Sequence, residues 1–204
     1  MKVFNISQFI AITAIVFSNV VISGELETLK TKNFDGDKFM FPADIEAQPL
    51  ALLFLAMSSE QDNGQWQQLQ LIEWHKQLEA AQVINNEVSA YHFPVMESPP
   101  FFVKGIIRNA MAKAYEGTAN MSQSGVLYVD DLVKFARSAE LILNDQPTLL
   151  LLSSDGKILQ EFKGTVSDEG IAEIQASIAT ISAPAAERRP ELKARPEATA
   201  ETDD

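Results

Sequence analysis

Side chains able to do chemistry fall in two places. Ser58, Ser59, Glu60 and Asp62 crowd positions 58–62, directly after a strongly apolar run. Hydroxyls beside carboxylates at such a junction can bind a polar ligand, but a serine there becomes a nucleophile only with a histidine base, which spacing alone does not supply. His75 and Glu79 stand one helical turn apart and His92 follows on the next apolar segment. Those are the residue types of a two-histidine, one-carboxylate metal site, in which the ligands must converge and a catalytic ion must keep an open position. A simpler reading competes with each. His75 reads as an exposed neighbour of Glu79 on a polar helix face, His92 as an ordinary strand residue, and 58–62 as a solvated loop that caps a helix. The sequence therefore names no catalytic residue, no metal ligand and no cofactor.

Other motifs narrow the field further. There is no Gly-rich phosphate loop, nucleophile elbow or zincin pattern. Asp35-Gly36-Asp37 lacks the additional oxygen ligands of a calcium loop and reads as a turn. The 204-residue chain contains no cysteine, which removes disulfides, thiolate metal sites and thiol redox chemistry together. Twenty-eight acidic against sixteen basic residues give a net charge of -12, so phosphate backbones are disfavoured and nucleic acid is not an expected partner.

These residues must be positioned by elements legible in the apolar pattern. Met1-Lys2 and an apolar run ending at Val21-Ile22-Ser23-Gly24 have the layout of a secretory signal peptide over 1–23. Cleavage would leave no membrane span and place the protein in a bacterial periplasm, where a disulfide-free domain is at home. The pattern predicts a domain over 24–182 and a disordered Pro/Ala/charged tail over 183–204. A weak helix or loop at 25–32 precedes a hairpin over 33–42 with Phe39 and Phe41 turned inward. An apolar strand over 49–57 leads into a helix over 65–81 capped by Asp62 or Asn63, with Leu71, Trp74 and Leu78 on its buried stripe. A strand over 88–95 follows, then Ser98-Pro99-Pro100 and a helical insertion over 102–115, with Ile106, Ile107, Ala110, Met111 and Ala114 on one side. A short strand over 126–129 and a helix from Asp130 or Asp131 to about Leu141 come next. The stretch from Gln146-Pro147 through four leucines to Asp155-Gly156 reads as a doubly buried strand and a tight turn. A returning strand and a helix capped by Ser167, with Ile171, Ile174, Ile178 and Ile181 inward, complete the order.

That order, and Gln146-Pro147-Thr148 through Asp155-Gly156-Lys157-Ile158 to Gly164 in particular, resembles the thioredoxin-like superfamily. Phe39-Met40-Phe41-Pro42 is similar to the lead-in of its membrane-anchored and periplasmic members, and to the thioredoxin-fold assembly factors of mitochondrial ATP synthase and their bacterial relatives. The resemblance implies an α/β, three-layer fold with a central mixed sheet, a helical insertion and a C-terminal hairpin and helix. It implies that Pro147 takes the position of the family's cis-proline beside a substrate groove. Where redox members carry paired cysteines this chain has Ser59-Glu60-Gln61-Asp62, so oxidoreductase chemistry is excluded on any reading. The expectation is an exported protein that binds a protein or peptide, in assembly or folding of an envelope or membrane complex. Its expected binding residues are Ser59, Glu60 and Asp62, Gln146 and Pro147, and the Phe101-Phe102 pair, which beside Pro99-Pro100 either packs inward or presents a hydrophobic partner surface. The competing expectation is a metal-assisted or seryl hydrolase on the same scaffold.

Overall fold

The computed structural model describes residues 24–47 and 49–183. Its elements in chain order are β1 (Leu29–Lys32), β2 (Lys38–Phe41), β3 (Leu50–Leu55), α1 (Gln61–Ala80), β4 (Val88–His92), β5 (Val95–Glu97), α2 (Phe101–Tyr115), β6 (Leu127–Val129), α3 (Leu132–Ser138), β7 (Thr148–Ser153), β8 (Ile158–Lys163) and α4 (Asp168–Ser182). The signal-peptide expectation, and the tail beyond Ala183, lie outside the described residues.

Two apolar runs form the middle of a four-stranded sheet ordered β4-β3-β7-β8. β3 is parallel to β4, antiparallel to β7 and in register with it so that Leu52 faces Leu151 and Leu53 faces Leu150. Both strands are buried on two faces because period-two alternation sends successive leucines to opposite sides. On one side Leu50, Leu52 and Phe54 meet Leu149 and Leu151, Leu71, Trp74 and Leu78 of α1, and Ile174 of α4. On the other, Leu53 and Leu55 meet Phe39 and Phe41 of β2 and Leu132, Phe135 and Ala136 of α3. Each fully buried leucine contributes roughly 1.5–3 kcal/mol relative to exposure, so the leucine runs contribute substantially to the fold's stability. The mixed sheet, flanking helices and helical insertion are those of a thioredoxin-like α/β fold.

Local chemistry sets the boundaries. Gly156 turns β7 into β8 at φ 77, a conformation glycine adopts at no steric cost. Asp131 accepts from the Lys134 N–H and Ser167 from the Gly170 N–H, each capping its helix as the sequence suggests. Trp74 reaches past the sheet edge to donate from Nε1 to the Gly164 carbonyl at 2.9 Å, fixing α1 against the end of the hairpin.

Several expectations need correction. Leu29–Lys32 is a strand, because the Thr31 hydroxyl donates to the Val126 carbonyl and β1 pairs with β2. α1 begins at Gln61, four residues before the periodicity suggests, and its N-cap is Glu60, which makes no side-chain cap bond; Asp62 and Asn63 lie inside the first turn. The predicted strand over 88–95 breaks at Phe93-Pro94 into β4 and β5, and β5 pairs in parallel with β6. α3 stops at Ser138 instead of near Leu141.

Candidate functional site

β3 delivers the chain past its carboxyl end to Met57, where a single buried amide takes over. Gln67 Oε1 accepts from the Met57 N–H at 2.8 Å, and Gln67 Nε2 donates to the Met57 carbonyl at 2.9 Å and to Asn63 Oδ1 at 2.6 Å. One side chain thus closes a backbone pair and fixes where 58–62 starts. Ser58 folds that loop locally, its Oγ accepting from the Glu60 N–H at 3.0 Å. Ser59, Glu60 and Asp62 stay exposed above it. Gln67 was not among the residues singled out from sequence. Its signal was phase, since 67, 71, 74 and 78 share one helix face and the other three are the apolar stripe.

The opposite wall is α2, which buries little of itself. Tyr115 is its single fully buried residue, while Phe101 is 85% exposed and Phe102 and Ile106 each 67%. Ile106 therefore lies on the outer face, not on the inner side with Ile107 and Met111. Two tyrosines tether the helix. The Tyr128 hydroxyl donates to the Lys104 carbonyl at 2.9 Å near one end, and Tyr115 at the other packs against Phe34 and His92 with ring centroids 5.7 and 5.2 Å apart.

Between α1 and α2 lies a cavity of ≈700 Å³. Its floor is Ala56, Pro94, Val95 and Met96; Gly64, Gln65 and Gln68 line it from α1, and Ile107, Ala110, Met111 and Ala114 from α2. Ser58, Ser59, Glu60 and Gln61 form one end, with Glu97 also on its rim. The structure so brings Ser59 and Glu60 to a groove beside the insertion helix that carries Phe101-Phe102.

Pro147 is elsewhere. It is buried, its carbonyl accepts from the Gly164 N–H at 3.1 Å, and it does not line the cavity; Gln146 is half-buried beside it. The sequence leaves open whether Pro147 follows a cis bond; among the described residues the cis bond is Phe41–Pro42, and Gln146–Pro147 is trans. Ahead of β7, Asp145 takes φ 56 and its carbonyl accepts from Asn63 Nδ2 at 3.0 Å.

The histidines overturn the simpler reading. His75 is 6% exposed and His92 fully buried, and His75 Nδ1 lies 2.9 Å from His92 Nε2. One nitrogen donates and the other accepts, while His92 stacks on Phe54 with centroids 4.2 Å apart. Burial holds the His92 imidazole well below its ordinary pKa, with His75 pushing the same way. Burial also lowers His75, against the pull of Glu79, which lines the same small cavity. Burial raises the Tyr115 phenol. The pair spends its facing nitrogens on each other, and neither serine 58 nor 59 makes a bond to it.

No protein-family model matches the chain and no curated protein matches it in sequence. Solved structures do match in shape. A SCO1/SenC family lipoprotein from Bacillus anthracis str. Ames is 16% identical with a TM-score of 0.51, over 78% of this chain and 96% of that one. Arabidopsis thaliana ScoI with copper bound is 9% identical with a TM-score of 0.51, over 76% of this chain and 98% of that one. The residues here do not suit such an ion: no thiolate exists, and among the described residues no group of three or more His, Asp or Glu side chains converges to hold a metal. Topology and these likenesses show a thioredoxin-like fold, and because the chain has no cysteine, thiol–disulfide oxidoreductase activity is ruled out.

Proposed function

We propose that this is an exported, non-redox thioredoxin-fold protein that acts by binding protein, in assembly or folding of an envelope or membrane complex. The observation that carries the reading is the α1–α2 groove with Phe101, Phe102 and Ile106 exposed on the helix that walls it. Monomeric surfaces rarely cluster large apolar side chains without a partner to cover them. Aromatic anchors beside a concave apolar surface are where binding energy concentrates in protein interfaces. In this reading Ser59 and Glu60 contact the partner from the groove's end, Asp62 stands just above them, and Phe101 and Phe102 contact it from outside. Gln146 and Pro147 contact the partner, if at all, from outside the groove, where they directly follow Asp145, whose carbonyl accepts from Asn63 in the first turn of α1. Export is supported by the layout of the first 23 residues. Among the described residues no helix is long and apolar enough to cross a membrane.

Site-specific photocrosslinking tests the proposal. A photoreactive residue at Ile106 or Met111 should capture the same envelope protein reproducibly, a third placed at Gln175 on α4 should not, and Phe101→Ser/Phe102→Ser should abolish the capture. Equal capture from the α4 position, or none from α2, would count against a dedicated binding face.

A further inference from the structure

The groove between α1 and α2 carries information about what fills it. Its charged lining residues are Glu60 and Glu97, and among the described residues no lysine, arginine or histidine lines it. That asymmetry is local and not forced by composition, because α2 itself carries Lys104, Arg108 and Lys113 and no carboxylate. None of the three lines the groove, and Arg108 lies close enough to Tyr128 to act on its phenol. Lys104 Nζ sits over the Tyr128 ring, 4.9 Å from its centroid, and Lys113 is exposed.

Shape adds a second constraint. Gly64 on α1 and Ala110 and Ala114 on α2 are small where the helices face each other, so the space is left by missing side chains. A Cβ at Gly64 would meet nothing nearer than Ser58 Cβ at 3.8 Å, so that glycine is not required by packing. Ile107 to Ala114 covers about 10 Å of helix axis, the length of a few residues of extended chain. Met96 and Met111 face the same space, and thioethers adapt to apolar side chains of varied shape. At ≈700 Å³ the cavity falls within the range of about 300–1,000 Å³ typical of ligand clefts.

We propose that the α1–α2 groove binds an apolar peptide segment bearing a basic side chain, its aliphatic residues seated between Met96 and Met111 and its cation held between Glu60 and Glu97. The proposal rests on the protein-binding reading above and specifies the partner's chemistry. Glutamine amides at Gln61, Gln65 and Gln68 supply donors and acceptors for the peptide backbone, whose groups lose water as they enter. The net charge of -12 favours approach of the same cationic segment from a distance.

The test uses the full chain and a short fluorescein-labelled peptide of leucine and alanine with one central arginine, beside its glutamine and glutamate counterparts, read by fluorescence anisotropy. The arginine peptide should bind about tenfold more tightly than the glutamate peptide, equivalent to about 1.4 kcal/mol. Glu60→Gln/Glu97→Gln should remove the preference, and Ala110→Trp, or Ala114→Trp if the first fails to fold, should remove binding of all the peptides. Equal binding of all three peptides, blocked by the tryptophan, would overturn the cationic specificity and leave a groove that binds protein. Binding that survives the tryptophan but not Phe101→Ser/Phe102→Ser would move the partner to the outer face of α2. Absence of peptide binding alongside specific α2 crosslinks sinks the inference alone; absence of both sinks the wider reading too.

Discussion

The two central strands β3 and β7, and the α2 insertion, use similar amounts of apolar sequence to opposite ends. β3 and β7 hide nearly every side chain, whereas the fifteen residues of α2 fully bury only Tyr115. In the first region hydrophobicity is consumed by folding. In the second much of it remains available, held out by Tyr128 at one end and Tyr115 at the other. The difference separates what stabilises this protein from what its surface can engage, even though both regions read as apolar in sequence.

The sharpest way to break the contrast is paired truncation. Leu151→Ala removes a fully buried side chain between β3 and β8 and should cost about 3–5 kcal/mol in urea unfolding. Phe102→Ala, a larger truncation at a 67% exposed position, should change stability by less than about 0.5 kcal/mol. A comparable loss at Phe102 would mean that α2 is part of the core and that its exposed face has no surplus to offer a partner.

Next in size is the amide joining the regions. Gln67→Leu keeps the apolar stripe of α1 continuous but strands the Met57 N–H and carbonyl away from water, a cost of about 1–3 kcal/mol for each unsatisfied group. The expected result is a loss of about 2–4 kcal/mol together with weaker peptide binding, because 58–60 loses its anchor. Unchanged stability with full binding would show that the loop is held by something other than Gln67.

Gln67 also marks how far the sequence could be read. The sheet was legible because doubly apolar strands bounded by Pro and Asp-Gly leave few alternatives, and Ser167 and Asp131 announced their helices by capping chemistry. The groove was not legible at Pro147, because its position depends on α2 standing off α1, a tertiary distance with no sequence period. His75 misled for a related reason. Its neighbour Glu79 pointed to the polar face, but α1 is sandwiched closely enough that β4 claims His75 through His92. Phe101 and Phe102 were recognised as candidates by composition, and their exposure follows from the outward face on which Pro99-Pro100 starts the helix.

The histidine pair lies at the seam, with His75 on α1, His92 on β4 and Tyr115 of α2 against His92. An unfolded histidine takes its proton near pH 6.5, whereas His92 in the folded protein takes one only well below that. Stability should therefore be full above about pH 6.5 and fall as pH drops toward the lowered folded value, by at most about 1.4 kcal/mol per pH unit from His92. Titratable groups facing the pair are Glu79, which favours the charged form of His75, and Tyr115, which stays neutral. Unfolding measured between about pH 7.5 and 5.5 should show this slope, and His92→Phe should flatten it. If the slope persists in the variant, acid sensitivity originates in groups other than His92.

The smallest effects give the cleanest separation, because one substitution should change sign between the regions. Glycine inside a helix costs about 0.5–1 kcal/mol relative to alanine when space allows the methyl group. At Gly105 in α2 an added Cβ meets nothing within 4 Å, so Gly105→Ala should stabilise by up to that amount. At Gly170 in α4 the same carbon would lie 2.5 Å from Trp74 Cη2, and Trp74 cannot retreat without giving up its bond to the Gly164 carbonyl. Gly170→Ala should therefore destabilise by about 1–3 kcal/mol before the helix gain offsets part of it. Denaturation midpoints of the two variants settle the matter. Opposite signs confirm a filled half and an unfilled one. Stabilisation at both positions would mean that the Trp74 face relaxes as freely as α2, and the division between a packed scaffold and a helix held in reserve would not survive.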